Sequence, residues 1–461
     1  MSLIVQLTNV SVANTDAYVM VNAGDQFIVG ENATISSVGV SPRAGVLMSA
    51  IGQVVNVLGT VIGGTGVLPN AAMAVIGIAS TGYVYGSNDG IFFGSSGALL
   101  VSNHGELSGG IHGIRISSNN GNLTLNNTGS IWGGSFGIIS SSSAVIQNDG
   151  RIAGDTIAIQ ASEFADFIEN RGTIVGMVNL NGGNDFFDGN GGRVVGATVN
   201  GGNGDDTIAG GSGVDRITGG AGDDVLDGGD GIDTLSVEAN TNGTLVNLAS
   251  GLVQGFSSGL DLVENFERVQ GTGFNDTIIG ATGAETLSGG YGNDQIAGGD
   301  GNDRLWGGEE NDAVNGGNGD DKLIGSSGND NLAGGAGNDL LIGGSDLDRL
   351  FGGAGSDVFL FRAMTDFSSL GVFAAEKLSD FTQGSDLIDL SSIDADTTQG
   401  FDQAFVFVGP GAITGSGQIS VSNNGSASTV TVCTDFGANP AGVVILTVSG
   451  TAILGASDFV L

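Results

Sequence analysis

Large apolar residues recur at fixed intervals along this chain, and the interval changes once, near residue 200. Downstream, Ile208, Ile217, Leu226 and Leu235 fall nine residues apart, and Ile296, Leu305, Leu323, Leu332, Leu341 and Leu350 keep the same beat. Each stands two places after an acidic residue and follows a glycine-rich corner, as in GGNGDDTIA from Gly201, GGSGVDRIT from Gly210, GGAGDDVLD from Gly219 and GGDGIDTLS from Gly228. The pattern resumes at Gly271 and runs to Leu360. So short a period, with a glycine pair in most copies, predicts brief strands joined by tight turns. Two copies then make one coil of a parallel roll whose aliphatic residues point inward.

Upstream the beat is longer. NHGELSG from Asn103, NTGSIWG from Asn127, NDGRIAG from Asn148, NRGTIVG from Asn170 and NGGRVVG from Asn190 repeat one motif, with looser copies STGYVYG from Ser80 and VLGTVIG from Val57. A period of about 20 to 24 residues suits one coil of a parallel β-helix. Glycine takes the corner, Leu107, Ile131, Ile152, Ile174 and Val194 stack inward, and the asparagine amides are placed to bond from coil to coil. Stretches such as GIRIS and TIAIQ alternate as half-buried strands do. A β-sandwich of short strands is the alternative, but repetition of one motif favours the helix over mere repetition of a length. At the join, NLNGGNDFFDG from Asn179 puts the glycine-aspartate turn on the end of a long coil, which predicts a continuous solenoid without a hinge there. Residues before Val57, with LIVQL and FIVG, are the expected first cap.

Charge changes the picture. The chain has 49 acidic and 12 basic residues, a formal charge of −37, and 87 glycines among 461 residues. This balance argues against nucleic acid and against anionic membrane surfaces, both of which need clustered Lys and Arg. No apolar run is long enough for a membrane helix, and the N-terminus lacks the basic and apolar regions of a cleaved signal peptide. Cys433 alone rules out an intrachain disulfide and is expected to be a small buried residue in STVTVCTDF.

The constant spacing also stacks the acids. Asp206, Asp215, Asp224, Asp233, Asp276, Asp294, Asp303, Asp312, Asp321, Asp330, Asp339, Asp348 and Asp357 all occupy the sixth repeat position. Carboxylates one strand spacing apart, about 4.8 Å, repel unless a cation lies between them. Calcium, which prefers six to eight hard oxygens, suits aspartates combined with turn carbonyls. Blemished copies (Glu285 for Asp, Phe274, Glu310 and Asp346 for the fourth glycine, Ser326 for the second) are expected to bind weakly or not at all. Only His104 and His112 are available for a nitrogen-ligated metal, which makes one improbable.

These nonapeptides resemble the repeats-in-toxin family of hemolysin-type calcium-binding proteins over about residues 200 to 360. The stretch DTLSVEANTNGTLVNLASG and the following DLVENFERVQGTGFNDTIIG look like the unit often intercalated between such repeat blocks. DVFLF from Asp357, SDFTQGSDLIDLSSIDAD from Ser379, QAFVFVG from Gln403, GQIS from Gly417 and the closing Asp458-Phe459-Val460-Leu461 resemble the C-terminal domain of the serralysin proteases. That resemblance implies a domain that caps the roll and carries an uncleaved signal for a type I secretion apparatus. The zinc-binding His-Glu-x-x-His helix of those proteases is missing from the sequence, so their activity does not carry over. The expected fold is all-β: a right-handed parallel β-helix over 1–199, a calcium-bound parallel β-roll over 200–360 with an insert at 237–270, and a C-terminal β capping and secretion domain over 361–461.

The expected role is a non-enzymatic, extracellular or surface-associated calcium-binding protein of a matrix or surface layer, because the chain is repeat nearly throughout. Cell-surface polysaccharide and self-association are its candidate partners beside calcium and the export machinery. The runner-up is a polysaccharide lyase or epimerase built on the β-helix, with His104, His112, Arg115, Asp149 and Arg151 as its pieces; these also read as solvated turn residues. A third reading makes Tyr83, Tyr85, Phe92, Phe93 and Trp132 a sugar-stacking face.

Overall fold

In the computed structural model, residues 4–7, 10–13, 18–20, 26–31, 33–38, 44–48, 52–69, 73–255, 259–362, 376–393, 404–410, 417–433, 443–449 and 454–461 are described. They form strands, turns and one 3-10 turn, Ala456–Asp458. The chain divides into two compact units, Met1–Leu235 with Ser258–Phe266, and Ser236–Ser257 with Glu267–Leu461. Each is a parallel β-solenoid in which a strand pairs with its counterpart one coil later.

The first unit begins with three inward files. Val61, Val84, Leu107, Ile131, Ile152, Ile174 and Val194 are in register from coil to coil and buried, as the motif requires. A second file runs Val101, Leu125, Ile146, Ile168, Phe187, Ile208, Leu226 and Val263. A third runs Ile91, Ile114, Ile138, Ile159, Val178, Val199, Ile217 and Leu235. The first file stops at Val194 while the other two continue, so the coil shortens by losing one strand and the core crosses the join unbroken. Val263 belongs to the inserted segment, whose strand Gly259–Glu264 supplies the next coil on Val225–Gly231.

Asn103, Asn127, Asn148 and Asn170 are buried, and each of the first three donates its amide N–H to the Oδ1 of the next at 2.7 Å. Asn190 does not extend this ladder. It is exposed, with its backbone turned to Asp188. Replacing Asn127 with Ala would orphan a buried donor on Asn103 and a buried acceptor on Asn148. The expected cost is about 2–3 kcal/mol, read as a lower denaturation midpoint of the full-length protein. The segment before Val57, expected to be a cap, instead winds as further coils: Ile4–Leu7 pairs with Gln26–Val29, which pairs with Gln53–Val57, all parallel.

The second unit keeps two files. Val246, Ile278, Ile296, Val314, Leu332, Leu350, Leu378 and Val448 form one. Val269, Leu287, Leu305, Leu323, Leu341, Phe359, Ile388 and Phe459 form the other. Thr244–Asn247 and Leu252–Gly255, the remainder of the insert, make an antiparallel hairpin at its start. At its end Gln418–Asn423, Ala427–Cys433 and Val443–Ser449 turn antiparallel. The Cys433 side chain lies outside the described residues.

Candidate metal centre

The repeat builds its acidic corner from backbone first. The second-position glycines hold a left-handed conformation, φ 114° at Gly317 and 113° at Gly335, that a side chain disfavours. The first-position glycines are needed for a different reason. A Cβ on Gly316 would overlap both Asp321 Oδ2 and the carbonyl oxygen of Gly334 one coil later. The same pair of oxygens, one carboxylate and one carbonyl, converges on Gly201, Gly298, Gly325 and Gly334. Two hard oxygens of like polarity meeting in a space kept clear of carbon fit a cation such as calcium.

The carboxylates themselves form files along the turn edges. Oδ1 of Asp321 accepts the backbone N–H of Asp303, 18 residues earlier, at 2.8 Å. Asp312 does the same for Asp294, Asp330 for Asp312, and Asp339 for Asp321, each at 2.8 Å, and Asp224 for Asp206 at 2.9 Å. The other oxygen, Oδ2, is buried without a hydrogen-bond partner on Asp206, Asp215, Asp224, Asp294, Asp303, Asp312, Asp321, Asp330, Asp339 and Asp357. A buried carboxylate oxygen left in this state is costly unless a proton or an ion meets it. Burial, with added repulsion from neighbouring acids, pushes the carboxyl pKa to about 6 at Asp215 and Asp321, about 7 at Asp206, Asp294 and Asp339, and about 8 at Asp330. Asp233 and Asp348 are equally buried in the same files, accepting the N–H of Asp215 and Asp330.

Asp276 differs. Thr272, at the second repeat position, donates its N–H to Oδ2 at 2.6 Å and its hydroxyl to Oδ1 at 3.0 Å, while Thr244 N–H also reaches Oδ1. Both oxygens are served by the protein, so this aspartate starts its file without needing a cation. Three other blemished corners keep their shape: Glu310, Ser326 and Asp346 adopt φ of 76°, 93° and 82° in place of glycine. Glu310 also accepts the Gly292 N–H at 2.6 Å.

Several rungs were not foreseen from the repeat. Asp166, Asp185 and Asp261 extend the file of Asp206 and Asp224 in the first unit. Glu376 and Asp386 extend the files of the second, accepting the N–H groups of Asp348 and Asp357. Buried Asp458 accepts from Gly384 and Gly455 just before Phe459 joins Ile388. A further ladder occupies the fifth position on the outside: Asn275 Oδ1 accepts the N–H of Asn293, Asn293 that of Asn311, and Asn311 that of Asn329. Its bonds run opposite to the aspartate file, so each coil is tied to both neighbours. The recurring Asn-Asp pair was the visible signal.

Among the described residues no three His, Cys, Asp or Glu side chains cluster for a metal, which leaves turn carbonyls to complete any ion's shell. Of the residues considered for catalysis, His112 and Arg115 come together, both on buried Asp89, at 2.6 Å from Nδ1 and at 2.9 and 2.8 Å from the guanidinium. Burial opposes ionisation of Asp89, yet the bonds from His112 and Arg115 hold its pKa below the usual value. His104 instead contacts Thr128 and Ser102, and Asp149 lies 3.9 Å from Arg171 on the surface. Tyr83 and Tyr85 stack in parallel, while Phe93 is core.

Fold and corners together define a parallel β-roll whose acidic edges suit calcium. Comparison with known proteins agrees: residues 200–235, 264–295 and 288–323 match the RTX calcium-binding nonapeptide repeat, and residues 310–461 match the C-terminal domain of M10 serralysin peptidases. The chain therefore carries hemolysin-type calcium-binding repeats joined to a serralysin-type C-terminal domain, the parts of calcium-binding proteins exported by type I secretion. No protease domain is among the matches. No curated protein matches the chain. Among solved structures it is similar to a subunit of the mannuronan C5-epimerase of Azotobacter vinelandii, at 24% identity over 41% of this chain and 80% of that one, with a TM-score of 0.21. It is also similar to the extracellular lipase LipA of Serratia marcescens, at 15% identity over 75% of this chain and 45% of that one, with a TM-score of 0.19. Among the described residues no helix is long and apolar enough to cross a membrane.

Proposed function

We propose that this protein is an extracellular structural component of a cell surface, matrix or surface layer, exported unfolded by a type I secretion apparatus and wound up by calcium outside. The observation carrying the calcium part is the row of buried, unpartnered Oδ2 atoms, those of Asp206, Asp303, Asp321, Asp330 and Asp339 each facing a carbonyl across a carbon-free corner. The thirteen sixth-position aspartates form this system, with Asp276 serving as its protein-capped end. Residues 1–199 act as the β-helical body, 200–360 with the insert 237–270 as the calcium roll, and 361–461 as the cap bearing the export signal.

Asp458 and Phe459 tie the chain end into the last coil, so the signal is accessible before folding and docked after it. Deleting residues 458–461 is expected to lower secretion strongly while the protein is still made. Export at the normal level contradicts the assignment. A second reading, modification of an acidic polysaccharide, draws on the Asp89, His112 and Arg115 cluster. Imaging of producing cells for an ordered coat or matrix, paired with an assay for unsaturated uronides, separates the two: a coat supports the structural role, and uronide release overturns it.

A further inference from the structure

The strands that carry the second inward file of the first unit carry another file on their outer face. Val145, Phe167, Phe186, Thr207, Val225 and Leu262 each stand one residue before an inward side chain and are in register from coil to coil. Strand alternation turns them to solvent. Val145, Phe167, Val225 and Leu262 are 41%, 36%, 45% and 53% exposed. Phe186 is half-buried, its ring stacked on that of Phe167 with centroids 4.8 Å apart. The coil does not require apolar residues here: the equivalent outer file of the second unit reads Thr277, Gln295, Ala313, Asn331 and Arg349. With steps of about 4.8 Å, the apolar file runs for about 24 Å along the solenoid.

Acids line both sides of it. Two residues further along the same strands, Glu169, Asp188, Asp227 and Glu264 form one rail. Two residues before the file, Asp205 and Asp223 form the other, stacked between Asn184 and Leu260 by bonds from each N–H to the preceding Oδ1. Arg171 reaches Glu169 at 3.3 Å. Asp188, Asp205, Asp223 and Asp227 are met instead by backbone and amide N–H groups, which leave their charges uncompensated. An exposed apolar strip with a polar rim marks an interaction surface, and the sign of this rim selects the partner. A second copy of a chain of charge −37 would set rail against rail.

We propose that this face docks a cationic amphipathic helix of a partner polypeptide, with its apolar side on the file and its Lys or Arg side chains over the two rails. A helix advances 1.5 Å per residue, so about 16 residues cover the file, and its pitch of 5.4 Å lies close to the spacing of the coils. Apolar residues three and four apart present the single stripe that the file requires, with cations on either flank. The surface uses none of the buried sixth-position aspartates, so it is independent of the calcium reading and adds a binding activity to the structural role proposed above.

The test uses calcium-loaded full-length protein and a fluorescent peptide of about 16 residues, leucine on one helical face and lysine elsewhere, followed by anisotropy at physiological ionic strength. This peptide should bind. A scrambled peptide of the same composition should bind about tenfold or more weaker, and one with glutamate for lysine should not bind. Val225→Ser combined with Leu262→Ser should weaken binding about tenfold or more with an unchanged circular dichroism spectrum, while Tyr291→Ser, at an exposed ring of the second unit, should bind as the parent does. Equal affinity for the facial and scrambled peptides, undiminished affinity in the double variant, or an equal loss in Tyr291→Ser overturns the site. A parent that sediments as a dimer, with the double variant a monomer, overturns it in favour of a second copy. Should the double variant fail to fold, hydroxyl-radical footprinting of the parent decides: protection of Phe167, Leu260 and Leu262 by the peptide supports the site, and unchanged labelling overturns it.

Discussion

Full-length protein stripped of calcium at pH 7.5 is expected to lose its roll, and a nonspecific protease should then cut throughout residues 200–360 within minutes. Carboxylates tied from coil to coil by the same N–H···Oδ1 bond are held about one strand spacing apart, about 4.8 Å. At an effective dielectric of 20 two charges at that distance repel by roughly 3 kcal/mol. Files containing Asp294, Asp312 and Asp330 on one edge and Asp303, Asp321 and Asp339 on the other multiply this until it rivals the ~5–15 kcal/mol that stabilises a domain. Cations remove the repulsion and serve the unpartnered Oδ2 atoms at the same time, which makes ion binding and folding one event. The β-helical coils that precede Asp166 carry an asparagine ladder in place of an acidic file. Fragments covering them should outlast the roll. Calcium-stripped protein with residues 200–360 as resistant as the loaded form would contradict this.

Acid should partly replace calcium. The carboxyls of Asp321, Asp294 and Asp330 have folded-state pKa values pushed by burial to about 6, 7 and 8, above the 3.8 of an exposed aspartate. A raised pKa means the folded state holds its protons more tightly than the unfolded chain does. Its contribution is therefore complete below about pH 3.8, declines as pH rises through 6 to 8, and is absent above. In calcium-stripped buffer the roll should gain β signal in circular dichroism as pH falls from 8 to 4, the opposite of ordinary acid denaturation. Asp89 has the reverse sign, because its pKa is lowered, but it lies in the β-helix and belongs to one ion cluster only. With saturating calcium the roll's dependence should invert, since protons then compete with the ion for the same oxygens. Loss of β signal on acidification of the stripped protein would contradict the assignment of these pKa values to the fold.

Positions fixed by the period were legible from the residues. The aliphatic files, the asparagine ladder from Asn103 to Asn170 and the stacking of the sixth-position aspartates follow from spacing alone, because a constant repeat can only stack like on like. The rest depends on pairing in space. Asp261 follows Asp224 after 37 residues and Glu376 follows Asp348 after 28, intervals no repeat announces. Asp185 is hidden because its turn reaches the roll's geometry with asparagine in a glycine's place. Asp276 satisfies the motif yet differs in chemistry, since a threonine two places into the corner supplies the donors that its neighbours lack. Asn190 shares the upstream motif but stands on the coil where the first file ends, so no next rung awaits it.

The most direct test is to titrate calcium into stripped full-length protein at pH 7.5 while recording bound ion and far-ultraviolet circular dichroism in the same sample. Coupled neutralisation and folding predict a cooperative rise of β signal that tracks ions bound and levels off with them. Calcium taken up with no change in the spectrum, or a full β spectrum before any ion is bound, would contradict it.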